Sequence, residues 1–173
     1  MAGWERMLTS LVQARGAALK RYGYLLCGDD GEAEDLVQDA LIRAFATSRQ
    51  SDIVHAERYV RKVMLNLYLD RVRRRQVWKR LLPLAVASTA PQRDQQGDTD
   101  LRGDLHRALL ELSARQRACV VLHYYLDLTV LEISENLGLS VGTVKRNLHE
   151  ARLRLADHLG SHDQTSEDGY ATS

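Results

Sequence analysis

Residues Leu128 to Leu155 read LTVLEISENLGLSVGTVKRNLHEARLRL, and their spacing predicts a short helix, a tight turn and a second helix. Thr129 suits the N-terminal cap of the first helix, and Ser140 suits that of the second. Gly138 stands where a residue that tolerates a positive φ commonly ends a helix. The first helix is expected to turn its apolar residues inward: Leu131, Ile133 and Leu137.

The second predicted helix has an apolar face and a basic face. Its apolar residues recur at helical spacing: Val144, Leu148, Ala151 and Leu155. The outward positions are small or basic: Gly142, Lys145, Arg146, His149 and Arg152. Such a pair of helices is typical of a DNA-binding helix-turn-helix, but it also fits a hairpin of an ordinary helical bundle with a solvated charged face. This stretch alone leaves both interpretations open.

The rest of the chain also has the periodicity of helices. The first half carries three helical patterns, separated by the turn CGDDG and a polar loop: Trp4–Leu26, Glu32–Ser48 and Ala56–Leu82. The second half carries four: Leu101–Leu112, Ala114–Leu126, Val130–Leu137 and Val141–His158. The predicted fold is therefore all-α, with two small helical bundles (residues 1–82 and 104–159) joined by a flexible linker (83–103) and followed by a disordered acidic tail (160–173).

Charge is segregated along the chain, although the formal net charge is only +1. Six acidic residues and no basic one lie between Cys27 and Asp39. Between Ala56 and Arg80 there are nine basic residues and only two acidic ones. Separate acidic and basic surfaces indicate two kinds of partner. Cys27 and Cys119 suit a reducing cytosol as small apolar fillers. No apolar run approaches the ~20 residues that span a bilayer, and no signal-peptide pattern begins the chain, so we expect no membrane association.

Patterns of catalysis and metal binding are missing from the sequence. The six histidines show no His-x-x-x-His pairing with an acid between, and there is no phosphate loop, nucleophile elbow or glycine-rich dinucleotide turn. The acidic cluster from Asp29 to Asp39 lacks the alternating order of a calcium loop and fits a solvated helix start better. We therefore predict that the chain is not an enzyme and holds no metal or cofactor.

Nucleic acid is a better supported ligand. The third helical pattern ends in a dense basic run from Arg71 to Arg75, continued by Trp78, Lys79 and Arg80, and such a run contacts phosphates. Asn66 is an uncommon choice in the middle of a helix with apolar neighbours. Two interpretations stay open for it: a buried amide bonded within the bundle, or an exposed amide that hydrogen-bonds a base edge.

Three stretches together resemble a known family. They are AEDLVQDALIRAF (Ala33–Phe45), AERYVRKVMLNLYLDRVRRR (Ala56–Arg75) and LSARQRACVVLHYYLDLTVLEISENLGLSVGTVKRNLHEAR (Leu112–Arg152). The first two resemble conserved region 2, and the third resembles region 4, of bacterial RNA polymerase sigma factors of the sigma-70 family. The compact two-domain order resembles the extracytoplasmic-function type (group 4), and YLLCGD before the first stretch resembles its actinobacterial branch.

The resemblance implies a cytoplasmic promoter-specificity subunit that binds core RNA polymerase and promoter DNA. Its polymerase contacts would be the clamp of the largest subunit and the flap region, the former through Asp35, Leu36, Gln38 and Asp39. The loop from Gln50 to His55 and the following helix would recognise and open the −10 element, with contacts from Arg58, Arg61, Lys62, Asn66, Arg71, Arg73 and Arg74. The −35 element would be bound through Arg115, Thr143, Lys145, Arg146, His149 and Glu150. An anti-sigma factor would be a further partner. The alternative is a helix-turn-helix transcriptional regulator without sigma activity.

The chain departs from the family pattern at three places. Leu112-Ser113 stands where Leu-Pro is usual, and Arg146 and Glu150 replace a serine and an arginine on the outward side of the last helix. Arginine commonly reads guanine and glutamate can accept from cytosine N4, so the departures predict a changed −35 preference. If Glu150 instead pairs with Arg146 one turn away, its role is local. Both interpretations stay open.

Overall fold

The computed structural model describes residues 3–47, 52–82 and 101–167, and these residues are almost entirely helical. The helices are α1 Gly3–Cys27, α2 Asp30–Thr47, α3 Ile53–Leu81, α4 Leu101–Glu111, α5 Ala114–Val120, α6 Val130–Leu137 and α7 Val141–Glu167. The chain divides into two compact units, residues 1–97 and 98–173, which confirms the predicted all-α fold with two helical bodies. Most of the predicted linker lies outside the described residues. Within them, no helix is long and apolar enough to cross a membrane.

In the N-terminal unit, α1, α2 and α3 each pack against the other two. The core is built from fully buried side chains at helical spacing: Leu11, Leu19, Leu26, Leu36, Val60 and Met64. Gly23 lies close to both neighbouring helices, since a Cβ there would stand 3.3 Å from the carbonyl oxygen of Ala33 and 3.3 Å from the terminal methyl of Met64. A side chain at this point would therefore press on α2 and α3, which would have to give by a few tenths of an ångström.

Helix α3 begins at Ile53, three residues before the predicted start. The reason is Asp52, whose Oδ1 accepts the backbone N–H of His55 at 2.9 Å while Oδ2 pairs with Nδ1 of the same histidine at 2.7 Å. The hydrogen bonds from the His55 backbone and ring lower the pKa of Asp52. Residues 53–55, expected in a loop, are thus the first turn of the helix.

In the C-terminal unit, α4, α5 and α6 all contact α7. The predicted inner face of α7 is confirmed for Val144, Leu148 and Ala151, which are buried. Arg117 ties the end of α4 to α5, since its guanidinium donates to the carbonyl oxygens of Leu109, Leu110 and Leu112. These hydrogen bonds satisfy carbonyls that the end of a helix leaves without a partner.

Capping side chains begin two helices of this unit, at Thr129 as predicted and also at Ser113. Thr129 and Ser113 each accept a backbone N–H three residues on, and Glu132 and Gln116 return the hydrogen bond to the two caps. Gly138 ends α6 in the left-handed region, with φ +63°. The ends of these helices are therefore determined by residues close to them in the sequence.

Three details of this unit differ from prediction. Leu131 was expected to face inward but is exposed, whereas Ile133 on the same helix is fully buried. The helix expected to run from Ala114 to Leu126 changes at Val121 into a π-helical turn that ends at Tyr125. Helix α7 continues to Glu167 because no proline or left-handed glycine interrupts it, so the predicted helix end at His158 was wrong. Residues 168–173 lie outside the described part of the chain.

Candidate functional site

The predicted docking face of α2 is an exposed acidic and polar strip. Asp35, Gln38 and Asp39 are exposed, and Ile42 continues their helical spacing with 69% of its surface accessible. Leu36 does not belong to this face: it is fully buried in the core, so the expectation that it contacts a partner was wrong. Its place between two acidic docking residues in sequence does not put it on their side of the helix. Ile42 was missed, although its distance of seven residues from Asp35 signals the shared face.

Two ion pairs join acidic residues of α2, one of them in the strip, to the basic end of α3. Nη2 of Arg71 lies 2.7 Å from Oδ2 of Asp39, and Nη1 of Arg75 lies 3.2 Å from Oε1 of Glu32. The sequence predicted separate acidic and basic surfaces, but two acidic residues of α2 meet two basic residues of α3. Arg71, proposed for DNA, is therefore engaged by a residue proposed for the polymerase.

A basic face runs along the outer side of α3. Arg58, Lys62 and Asn66 are exposed at intervals of four residues, and Arg73 falls on the same side. The side chain of Asn66 makes no hydrogen bond to any described residue, so the interpretation as a buried amide was wrong. This face can present cations to phosphates and one amide to a base edge.

The other predicted basic residues of α3 are placed differently. Arg61 faces the bundle, where it pairs with Glu57 and its guanidinium lies 5.9 Å from the centre of the Tyr22 ring. Arg73 is joined to Asp70 at 3.1 Å, while Arg74 is exposed and forms no ion pair within the described ranges. Arg61 is thus the least accessible of the cations proposed for DNA.

The last helix presents a second basic face. Ser140 caps α7 by accepting the N–H of Thr143 at 3.1 Å, and its hydroxyl lies 2.8 Å from that of Thr143. Lys145 and His149 are exposed beyond this cap, and Arg115 is exposed on α5. These positions suit contacts with the phosphates and base edges of a major groove.

Arg152, one turn beyond His149, was not among the predicted DNA contacts. Its Nε donates to the hydroxyl of Tyr124 at 2.7 Å, and its guanidinium lies 5.8 Å from the centre of that ring. Helical spacing from Lys145 and His149 marks Arg152 as part of the same face, but its partner in the π-helical turn gave no sequence signal.

Arg146 and Glu150 are paired. Nε of Arg146 donates to Oε1 of Glu150 at 2.8 Å, and Nε2 of the buried Gln116 donates to Oε2 at 3.0 Å. The hydrogen bonds from Arg146 and then from Gln116 lower the pKa of Glu150, and the same pair raises the pKa of Arg146. Of the two interpretations of Glu150, the local pair is the one that the structure forms.

None of the described residues form a group of three or more histidine, cysteine or acidic side chains that could hold a metal ion. The described residues instead present an acidic strip with an exposed isoleucine on α2, and basic faces on α3 and α7.

Two family models match the chain, each within one of the compact units. Residues 11–77 match the model described as Sigma-70 region 2, and residues 102–155 match the model described as Sigma-70, region 4. The first match holds α2 and most of α3, and the second holds the helix-turn-helix.

Curated relatives and solved structures agree with these models. The chain is 34% identical to the RNA polymerase sigma-E factor of Streptomyces avermitilis, over 88% of this chain and 84% of that protein. It is 34% identical to the ECF RNA polymerase sigma factor SigE of Mycolicibacterium smegmatis, over 94% of this chain but only 63% of that protein. Among solved structures, the sigma factor RpoE of Bartonella quintana, in complex with the anti-sigma factor NepR, matches with a TM-score of 0.63 and 25% identity, covering 92% of this chain and 98% of the other.

Proposed function

The chain belongs to the extracytoplasmic-function group of the sigma-70 family, and on that premise we propose that it binds core RNA polymerase through α2 and directs it to promoters with defined −10 and −35 elements. Members of this family are specificity subunits, so the chain is not an enzyme. The observation that carries the proposal is the N-terminal unit, where two acidic residues of α2, among them Asp39 of the strip, form ion pairs with the basic α3. A helix-turn-helix regulator without sigma activity has no need of such a unit.

Polymerase binding is assigned to Asp35, Gln38, Asp39 and Ile42. Three polar side chains and one large apolar side chain on a single helical face suit an interface with an apolar centre and charged edges. Because the strip is acidic, the matching surface of the polymerase, on the clamp of its largest subunit, should be basic. We assign contact with the flap region to the C-terminal unit.

Recognition and opening of the −10 element is assigned to the outer face of α3. Arg58, Lys62 and Arg74 would hold the DNA backbone, and Asn66 would hydrogen-bond an unpaired base. Arg71 and Arg73 would join them after leaving their carboxylate partners. Arg61 would act mainly by holding α3 against Tyr22 and Glu57.

Recognition of the −35 element is assigned to α7. Lys145, Arg146 and His149 would face the major groove, and Arg115 and Thr143 would contact phosphates. Glu150 would act by holding Arg146 and not by accepting from a base. Two binding units on one chain strengthen each other, because the first contact raises the local concentration of the second.

An anti-sigma factor is a further proposed partner, because the related Bartonella quintana protein was solved in complex with one. As a polymerase subunit, the protein would act in the cytoplasm.

Footprinting with and without core polymerase tests the proposed function. The holoenzyme should protect two promoter segments about two helical turns apart, whereas the chain alone should protect neither strongly. Strong protection of one palindromic site by the chain alone, unchanged by core polymerase, would support the regulator instead.

A further inference from the structure

We infer that Gln116, a buried residue of α5, is a positioning residue that sets the base preference of Arg146 by fixing Glu150. The inference rests on the proposed function, since it concerns recognition of the −35 element by α7. Gln116 is the one buried polar or charged residue among the described part of the chain, with 5% of its surface exposed. A buried amide is costly unless its hydrogen bonds are made, so its partners fix its orientation.

The orientation of the Gln116 amide follows from its two neighbours. Its Oε1 accepts the backbone N–H of Ser113 at 3.2 Å, and only an oxygen can accept there. The NH₂ group must then point the other way, where Nε2 donates to Oε2 of Glu150 at 3.0 Å. The cap of α5 thus turns the NH₂ group of Gln116 towards Glu150, which lies 34 residues further along the chain.

Glu150 passes this constraint to Arg146. With Oε2 bound to Gln116, Oε1 is left to accept Nε of Arg146 at 2.8 Å. The hydrogen bonds from Arg146 and Gln116 lower the pKa of Glu150, so the carboxylate stays ionised at neutral pH. Bonding through Nε leaves both Nη groups of Arg146 available on a side chain that is 80% exposed. Those two groups form the fork that pairs with O6 and N7 of guanine.

The same hydrogen bonds restrict Glu150 as a reader of bases. Its carboxylate keeps lone pairs, but with one oxygen bound to Gln116 and the other to Arg146 the side chain is not free to turn towards N4 of cytosine. Without Gln116, Glu150 is held by Arg146 alone, on a solvated surface where such pairs are weak. Both side chains then become mobile, and the site should discriminate less sharply among bases.

The experiment selects −35 sequences from a randomised promoter library with holoenzymes of the full chain. Wild type should favour guanine at the position that Arg146 reads. Gln116→Met, similar in length but without hydrogen bonds, should lower that preference about tenfold, in line with the discrimination of one bidentate pair. Glu150→Ala should cause a similar shift, and the double variant should shift no further because both changes break one chain of bonds.

Ser113→Ala is the matched control. It removes the hydroxyl half of the same cap but leaves the Ser113 N–H and the Gln116–Glu150 bond in place. Thermal unfolding should show that Ser113→Ala and Gln116→Met lose comparable stability, while only Gln116→Met changes the selected bases. An unchanged preference in Gln116→Met, or an equal change in Ser113→Ala, would overturn the inference while leaving the proposed function intact. A wild-type holoenzyme that selects no −35 sequence would overturn both.

Discussion

Reversal of one charge on α2 tests the docking face. In Asp39→Arg, the ion pair with Arg71 is lost and two cations are brought together at the boundary of α2 and α3. Half of the Asp39 side chain and about a third of the Arg71 side chain are exposed (51% and 30%), so the pair contributes only about 0.2–1 kcal/mol to folding. The buried core beneath, centred on Leu36, is unchanged. The variant should therefore fold, with a melting temperature lower by a few degrees.

The effect on polymerase binding should be much larger. Breaking a charge pair that an interface has desolvated costs about 2–5 kcal/mol, and 2 kcal/mol corresponds to roughly 30-fold in Kd. We expect Asp39→Arg to bind core polymerase at least about 30-fold more weakly. Fluorescence anisotropy of the labelled chain, titrated with purified core enzyme, measures the change directly.

Glu34→Arg is the matched control for this experiment. Glu34 lies on the same helix and also loses one exposed ion pair, with Lys20 at 2.7 Å, but it faces α1. Its affinity for core polymerase should stay within about threefold of wild type, because the Glu34 side chain is turned towards Lys20 on α1 and an exposed charge outside the interface is screened by salt. Equal losses in the two variants would show that net charge, and not the strip on α2, governs binding; no loss in Asp39→Arg would refute the docking face itself.

Three further predictions concern single residues. Asn66→Ala should leave the melting temperature unchanged or slightly raised, since alanine favours an exposed helix position, yet should reduce strand opening measured by permanganate footprinting; normal opening would contradict the assignment of Asn66. Burial raises the pKa of Cys119 to about 11, so at pH 8 only about one thiol in a thousand is ionised. A thiol reagent should therefore label Cys119 only after unfolding, and rapid labelling of the native chain would contradict its burial. Gly138→Ala should lower the free energy of unfolding by about 1 kcal/mol in chemical denaturation, because alanine is strained at the positive φ although nothing crowds the new Cβ. Gly138→Asn should lower it less. Equal stability of the wild type and both variants would contradict the left-handed turn.

Local features of this chain could be predicted from the sequence because their partners lie within one helical turn. Ser113, Thr129 and Ser140 each cap a helix through a backbone group three residues on, and Gly138 ends a helix by its own conformation. The apolar face of α7 follows from spacing alone. Residues within one or two helical turns are sufficient to predict these elements.

Features that depend on distant residues could not be predicted. The family resemblance assigned Leu36 to the docking face, but its side chain is fully buried in the core. The exposure of Asn66 depends on how α3 is rotated against the bundle. Glu150 also accepts a hydrogen bond from Gln116, which no periodicity links to it.

Run-off transcription tests the central claim most directly, with purified core polymerase, the full chain and promoter fragments selected from genomic DNA. We expect a defined transcript that requires both proteins, falls sharply when either the −10 or the −35 element is replaced, and is lost with Asp39→Arg but kept with Glu34→Arg. Equal transcription without the chain, or no transcript from any fragment, would contradict the account.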